Sequence, residues 1–327
     1  MTLKAGLVGL GAMGRNHARI LSILDDVEFV GAADAVVTDQ RVSHGAPIVP
    51  DVDALIALKP DYVVVAAPTG THEEIGLKLA AAGIHALIEK PLAPSVDGAK
   101  RLVDAFAEKG LVGGVGHIER YNPALQSLRT RLAAGDLGEI YQVVTRRQGP
   151  FPGRIADVGV VKDLATHDID LTAWVTGQNY VSVSARAARR SGREHEDLIV
   201  VVGELDGGAV VNHLVNWLSP LKERSTVVTG ERGAFVADTL TADLTFYANG
   251  AVPTEWEAVS AFRGVVEGDV TRFAIPKREP LLREHEQFRD AVLGKDSDIV
   301  TLAQGMRTVE VAAGILASST DGGVVRL

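Results

Sequence analysis

Residues Gly9 to Gly14 read GLGAMG, and no other stretch limits the fold of this chain as strongly. A short apolar run, Leu3 to Val8, leads into it. Behind it Met13, His17, Ile20, Leu21 and Leu24 recur at helical spacing. Strand, glycine turn and helix in that order open a dinucleotide-binding βαβ unit. Gly9 allows the sharp turn, Gly11 lets main-chain amides approach a pyrophosphate, and Gly14 lets the helix pack closely on the strand. The pyrophosphate would rest on the unpaired N–H groups of the first turn, at Ala12, Met13 and Gly14, where the helix dipole is positive. A second strand, Glu28 to Ala33, ends at Asp34. Asp34 stands about 20 residues beyond the last glycine, where a carboxylate accepts from ribose hydroxyls. It would repel a 2′-phosphate, and Ala35, Val36, Val37 and Thr38 offer no arginine to hold one. NAD is therefore expected rather than NADP.

The alternation continues downstream. Asp61 to Ala67 is a nearly uniform apolar, β-branched run, the pattern of a central parallel strand buried on both faces. Pro68-Thr69-Gly70-Thr71-His72 follows, and Thr71 with Glu74 has capping-box spacing for a helix to about Ala82. Pro68, Thr69 and His72 thus sit at a strand's C-terminal end, on the crevice of the glycine turn. They are expected cofactor neighbours, although loop and capping duty explains them equally well. Strand Ile84 to Ile88 leads to Glu89-Lys90-Pro91, where proline forces Lys90 into an extended conformation and ends the strand. An amine then stands at the rim where a nicotinamide would lie. Helix Val96 to Glu108 and strand Leu111 to Gly116 complete a doubly wound parallel sheet, the Rossmann pattern.

Near His117-Ile118-Glu119-Arg120-Tyr121-Asn122-Pro123 the rhythm changes, and Asn122 is placed to cap a helix from Pro123 to about Ala134. The division is set near residue 120: residues 1–120 bind dinucleotide, and residues 121–327 form a second α/β domain. Strands are expected at Ile140–Gln148, Val181–Ala188, Leu198–Leu205, Ala209–Leu218, Ser225–Thr229, Ala234–Asp238 and Leu244–Ala248. Asp206-Gly207-Gly208 supplies an antiparallel turn. A helix spans about Val161 to Thr176 and stops at Gly177. Two late helices, about Leu281–Leu293 and Leu302–Ala317, precede a last strand, Val324–Leu327.

Composition narrows the chemistry. A length of 327 residues suits two domains, and a net charge of −9 argues against nucleic acid or an anionic membrane as partner. With no cysteine there is no disulfide, thiolate metal site or cysteine nucleophile. His195 lies between Glu194 and Glu196 in a charged loop, and no H-E-x-x-H or G-x-S-x-G motif occurs, so neither a metal enzyme nor a serine hydrolase is expected. The first strand begins almost at the N-terminus, leaving no room for a signal peptide. No apolar run reaches about 18 residues. A soluble, cytoplasmic protein is expected.

On the second-domain helix, Asp163 and His167 are four apart and share a face. A carboxylate there can orient an imidazole, and a neutral imidazole suits abstraction of an alcohol proton. Taken together, GLGAMG with Asp34, Glu89-Lys90-Pro91 and Asp163-Leu164-Ala165-Thr166-His167 resemble the Gfo/Idh/MocA oxidoreductases along the whole chain. The resemblance implies a Rossmann domain followed by an α/β domain with a large open, mostly antiparallel sheet. That sheet commonly forms the oligomer interface, so a homodimer or homotetramer is expected. It further implies that Lys90 stabilises charge on the reacting oxygen, that His167 is the general base with Asp163 assisting, and that Glu89 and Lys90 adjoin the cofactor. It also implies a cis peptide before Pro91. GHIERYNPA and the stretch Gly149 to Asp170 look most like the branch that oxidises the 3-hydroxyl of UDP-N-acetylglucosamine or its uronate. Arg120, Arg146, Arg147 and Arg154 are candidates for its diphosphate, with pairing to local acids as the alternative. Asn122 either contacts the sugar or only caps its helix. An inositol or free-sugar dehydrogenase, a sugar ketoreductase and a non-catalytic NAD-binding regulator are the competing functions. Loss of Lys90 or His167 would mark the last, and both are present.

Overall fold

The computed structural model describes residues 2–36, 45–153, 158–250 and 266–327. They form two compact units, Met1–Ile118 with Glu279–Ala313 and Glu119–Arg278 with Gly314–Leu327.

The first unit alternates β1 (Leu3–Val8), α1 (Ala12–Leu21), β2 (Val27–Ala33), β3 (Ile48–Val49), α2 (Val52–Ala57), β4 (Tyr62–Val65), α3 (His72–Ala81), β5 (His85–Glu89), α4 (Val96–Glu108) and β6 (Gly113–Gly116). Six parallel strands lie in the order β3-β2-β1-β4-β5-β6. Central β4 is buried throughout because successive side chains enter opposite cores. Tyr62 and Val64 join Leu7 and Leu21 on one side, and Val63 and Val65 join Leu55, Leu79 and Leu102 on the other. This is the doubly wound α/β architecture that the strand–helix alternation implies.

Two late helices are α7 (Pro280–Val292) and α8 (Leu302–Asp321). A single division at residue 120 leaves both with the second domain, whereas residues 279–313 pack with the first unit. Phe288 of α7 meets the Tyr62 ring edge-on at 5.5 Å, and Leu302 and Val309 of α8 enter the core beneath β4. Helical spacing marks an apolar stripe without saying which sheet it covers.

The second unit contains α5 (Pro123–Ala133), β7 (Ile140–Pro150), α6 (Thr166–Thr176), β8 (Tyr180–Ala188), β9 (Leu198–Leu205), β10 (Val210–Asn216), β11 (Leu218–Gly230), β12 (Gly233–Asp238), β13 (Asp243–Gly250), β14 (Val266–Arg272) and β15 (Val325–Arg326). They make one open nine-stranded sheet, β14-β13-β12-β11-β7-β10-β9-β8-β15. Among the described residues only the β10–β7 pair is parallel. Helices α5 and α6 pack on each other and on β7, β12 and β13.

Several details depart from the sequence pattern. The sequence pattern marks neither β3, nor α2, whose N-cap Asp51 accepts from the Ala54 amide, nor β14. The expected strand 209–218 breaks at Trp217, where Asn216 Oδ1 accepts from the Leu218 and Ser219 amides and turns the chain into a longer β11. The expected helix 161–176 begins with a wider π-helical turn, Val161–Ala165, and ends at Gly177 with φ +68°. No helix among the described residues is long and apolar enough to cross a membrane.

Candidate active site

The glycine turn separates internal from external demands. Gly9 has φ +92°, and a Cβ there would lie 2.7 Å from the Ala66 carbonyl oxygen. A Cβ on Gly14 would overlap the Gly9 carbonyl. Both are glycines because the protein itself crowds them. A Cβ on Gly11 would meet no atom within 4 Å, so nothing among the described residues requires glycine there. Its smallness leaves space for something from outside. Gly11 starts α1 without a side-chain cap, and the first turn, Ala12 and Met13 included, carries no acid. That is an anion cradle of amides and helix dipole, and it fits the pyrophosphate of NAD. At the end of β2, Asp34 accepts the Leu10 amide at 2.7 Å on Oδ2 and the Val36 amide at 2.9 Å on Oδ1. A carboxylate has about four acceptor positions, so ribose hydroxyls can share it. Val37 and Thr38 lie outside the described residues.

The strand ends beside this cradle are tied together. Thr69 opens a single 3₁₀ turn, Thr69–Thr71, and Pro68 is exposed. The capping box does not form: Thr71 Oγ1 donates backward to the Pro68 carbonyl at 2.8 Å, which spends its side chain on the turn. His72 is buried, with Nδ1 3.0 Å from the Pro91 carbonyl and Nε2 2.9 Å from the Ala67 carbonyl. Both ring nitrogens therefore face main chain, and His72 joins two loops rather than offering an atom to a ligand. Burial lowers its pKa, against the pull of these carbonyls. Glu89, expected at the cofactor, turns inward to His17, and its second oxygen accepts the Lys90 amide at 3.1 Å. Gly116 makes room, since a Cβ there would sit 3.0 Å from the Glu89 carboxyl carbon. Lys90 stands half-buried just past β5, and the Lys90–Pro91 peptide is cis.

In the second unit, Asp163 is buried in the π-helical turn and His167 is half-buried at the start of α6. Glu196 seats this turn: its Oε1 accepts the Val161 amide at 3.1 Å and its main-chain carbonyl accepts the Val160 amide at 2.9 Å. Gly159 is crowded against the Glu196 carboxylate, where no side chain would fit. By sequence Glu196 is only a loop acid beside His195. What its position in the sequence could not show was proximity to residue 161.

The arginines divide. Arg120 is 6% exposed and grips Asp170 bidentately, at 2.8 Å through Nε and 2.7 Å through Nη2. Arg147 joins Asp168 at 2.9 Å and Glu119 at 2.7 Å. Burial opposes its charge, but the two carboxylates outweigh burial and raise its pKa. These forks are engaged within the unit, as the alternative of local pairing implies. Asn122 caps α5 by accepting from the Ala124 amide at 3.0 Å and donates to the Thr239 carbonyl at 3.0 Å. Arg146 points to the uncovered side of the sheet, 3.9 Å from Glu223. Arg154 lies outside the described residues. Among the described residues no three metal-ligating side chains come together.

Comparison with known proteins agrees with this geometry. Residues 3–117 match the oxidoreductase family with an NAD-binding Rossmann fold, Gfo/Idh/MocA, and residues 125–236 match the Gfo/Idh/MocA C-terminal domain. The UDP-N-acetylglucosamine 3-dehydrogenase of Acidithiobacillus ferrooxidans is 31% identical over 300 residues, 89% of this chain and 88% of that one. Its solved structure superposes with a TM-score of 0.82 at 27% identity, covering 97% of this chain and 98% of that one. Inositol 2-dehydrogenase 2 of Saccharopolyspora erythraea is 31% identical over 227 residues, 65% of this chain and 66% of that one. With the glycine cradle, Asp34 and these matches in hand, the chain belongs to the Gfo/Idh/MocA family of oxidoreductases and is an NAD-dependent dehydrogenase.

Proposed function

We propose that this chain oxidises a secondary alcohol of a sugar, specifically the 3-hydroxyl of a UDP-N-acetylhexosamine or its uronate. The observation that carries the chemistry is Lys90, an amine at the C-terminal end of β5, on the strand-end crevice that the Gly11 cradle opens. NAD, when bound, accepts the hydride of the carbinol carbon. His167 takes the hydroxyl proton, Asp163 orients that imidazole, and the Lys90 ammonium stabilises the negative charge developing on the oxygen. The nucleotide-sugar assignment is supported by the relative matched over 89% of the chain, against 65% for the inositol dehydrogenase. Arg120, Arg147 and Asn122 have their polar groups engaged internally, so the diphosphate contact is proposed for Arg154.

We further propose a homodimer or homotetramer formed through the open sheet, acting in the cytoplasm. The sheet face away from α5 and α6 carries Val202, Val210, Tyr247 and Val270, each 46–59% exposed. Light scattering checks this, and a species of only 34.6 kDa would refute it.

The decisive assay follows NADH formation with UDP-N-acetylglucosamine, its uronate, myo-inositol and glucose. Turnover confined to the nucleotide sugars is expected. Preference for myo-inositol or glucose would replace this substrate, and no turnover with any sugar would favour the regulator.

A further inference from the structure

Behind Lys90 the first unit buries four ionisable side chains from three elements: His17 of α1, Glu89 of β5, and Glu284 and His285 of α7. None exceeds 8% exposure. His17 Nε2 lies 2.9 Å from Glu89 Oε1, and His17 Nδ1 lies 2.8 Å from His285 Nε2. The other Glu89 oxygen accepts the Lys90 amide. One continuous hydrogen-bonded row thus runs from α7 through α1 to the residue carrying the amine.

The proton positions follow from the partners. An ionised carboxylate only accepts, so His17 donates from Nε2. His17 Nδ1 and His285 Nε2 share the second hydrogen bond of the row. His285 Nδ1 and both Glu284 carboxyl oxygens have no partner among the described residues. Burial, and then the charge of Glu89, pushes Glu284 well above the usual carboxylate range. Burial, and then His17, pushes His285 well below the usual imidazole range. Burial works against the charge of Glu89 too, yet its carboxyl is held below the ordinary value by the His17 hydrogen bond, His17's charge, Lys90 and His72. The groups facing Glu89 are therefore His17 from α1, His72 from α3, Lys90 from its own strand end and Glu284 from α7. Of the two buried acids, one is neutral and one is charged, and the charged one adjoins Lys90.

We propose that His17 and His285 are positioning residues for Lys90: their row fixes the Glu89 carboxylate against the Lys90 main chain and keeps one negative charge behind its amine. This rests on Lys90 carrying the charge of the reacting oxygen, since an ammonium is the form that does so. Without His285, the His17 ring loses the hydrogen bond that holds its Nε2–H against Glu89. A buried carboxylate deprived of its donor takes up a proton, and the charge behind Lys90 is lost.

Acetylation of Lys90 by acetic anhydride at mildly alkaline pH, read by peptide mass spectrometry, reports the amine's proton without reference to turnover, because only the unprotonated amine reacts. Exposed Lys100 serves as the internal reference. Glu89→Gln and His285→Leu should each raise Lys90 labelling about fivefold. His285→Gln keeps a donor toward His17 and should return labelling to the unmodified level, while Glu284→Gln, neutral for neutral, should leave it unchanged. Unchanged labelling in Glu89→Gln and His285→Leu overturns the proposal, as does an equal rise in His285→Gln, which would mean loosened packing. If His285→Leu does not fold, Glu89→Gln and His285→Gln decide it. Lys90→Ala turnover is measured alongside. Full activity there refutes the role of Lys90 while labelling still judges the row; static labelling with an inactive Lys90→Ala refutes the row and leaves the role of Lys90 intact.

Discussion

Each unit buries a polar cluster made of acids and bases, and the two are finished differently. In the second unit, Arg120 with Asp170 and Arg147 with Asp168 and Glu119 match guanidinium forks to carboxylates, and the charges pair within the cluster. In the first unit, His17, His285, Glu89 and Glu284 supply no fixed cation, and three polar atoms lack partners among the described residues. A fork paired with carboxylates has one protonation state at any ordinary pH and acts as a fastener. It holds α6, which bears His167, onto β7 and onto the residues before α5. A row of imidazoles and carboxyls has its proton positions set by burial and by the charges around it. Residue type alone does not separate fastener from proton holder; saturation of partners does.

The comparison breaks most readily at Arg147. Arg147→Met leaves buried Asp168 and half-buried Glu119 without their shared cation and should cost about 3–5 kcal/mol in chemical denaturation. A loss below about 1 kcal/mol would show that this cluster fastens nothing.

Glu284 sharpens the contrast through its pH dependence. Its unfolded carboxyl ionises near the ordinary value of 4.5, while the folded one holds its proton to much higher pH. Above the ordinary value the unfolded state binds fewer protons than the folded state, so this group makes stability fall as pH rises, by up to about 1.4 kcal/mol per unit. Glu284→Gln should flatten that slope and raise Tm more at pH 8 than at pH 5. An equal effect at both pH values would mean that Glu284 is ionised in the fold. Arg147→Met should also lose more stability at pH 8 than at pH 5, because Asp168 without its guanidinium holds a proton to higher pH.

The smallest effect is expected at Asp34, a half-buried carboxylate pinned by two amides and belonging to neither cluster. Asp34→Ala should narrow the preference for NAD over NADP about tenfold with little change in Tm. An unchanged preference in cofactor titrations would place the discrimination elsewhere.

Much of the first unit was legible because its signals are local. Gly9 and Gly14 answer steric demands within a few residues of themselves or from the adjoining strand, and β4 reads as a buried parallel strand from composition alone. His17 carries a partial signal, because a histidine on the apolar stripe of α1 must find a polar partner. Its partners, Glu89 and His285, lie 72 and 268 residues away. Arg120 shows the opposite difficulty, because a basic residue beside a family motif looks the same whether its fork meets a ligand or Asp170.

By itself the sequence determined the parallel α/β order, the dinucleotide cradle, the acid at Asp34 and the presence of an amine and an imidazole in family motifs. These depend on neighbours in the chain, where spacing is geometry. Only the tertiary structure decided that residues 279–313 complete the first unit, that Glu89 faces inward, and that the Arg120 and Arg147 forks are closed. Such outcomes depend on which distant groups burial brings within hydrogen-bonding distance. A buried charge must be paired or neutralised, and spacing along the chain does not say by which residue.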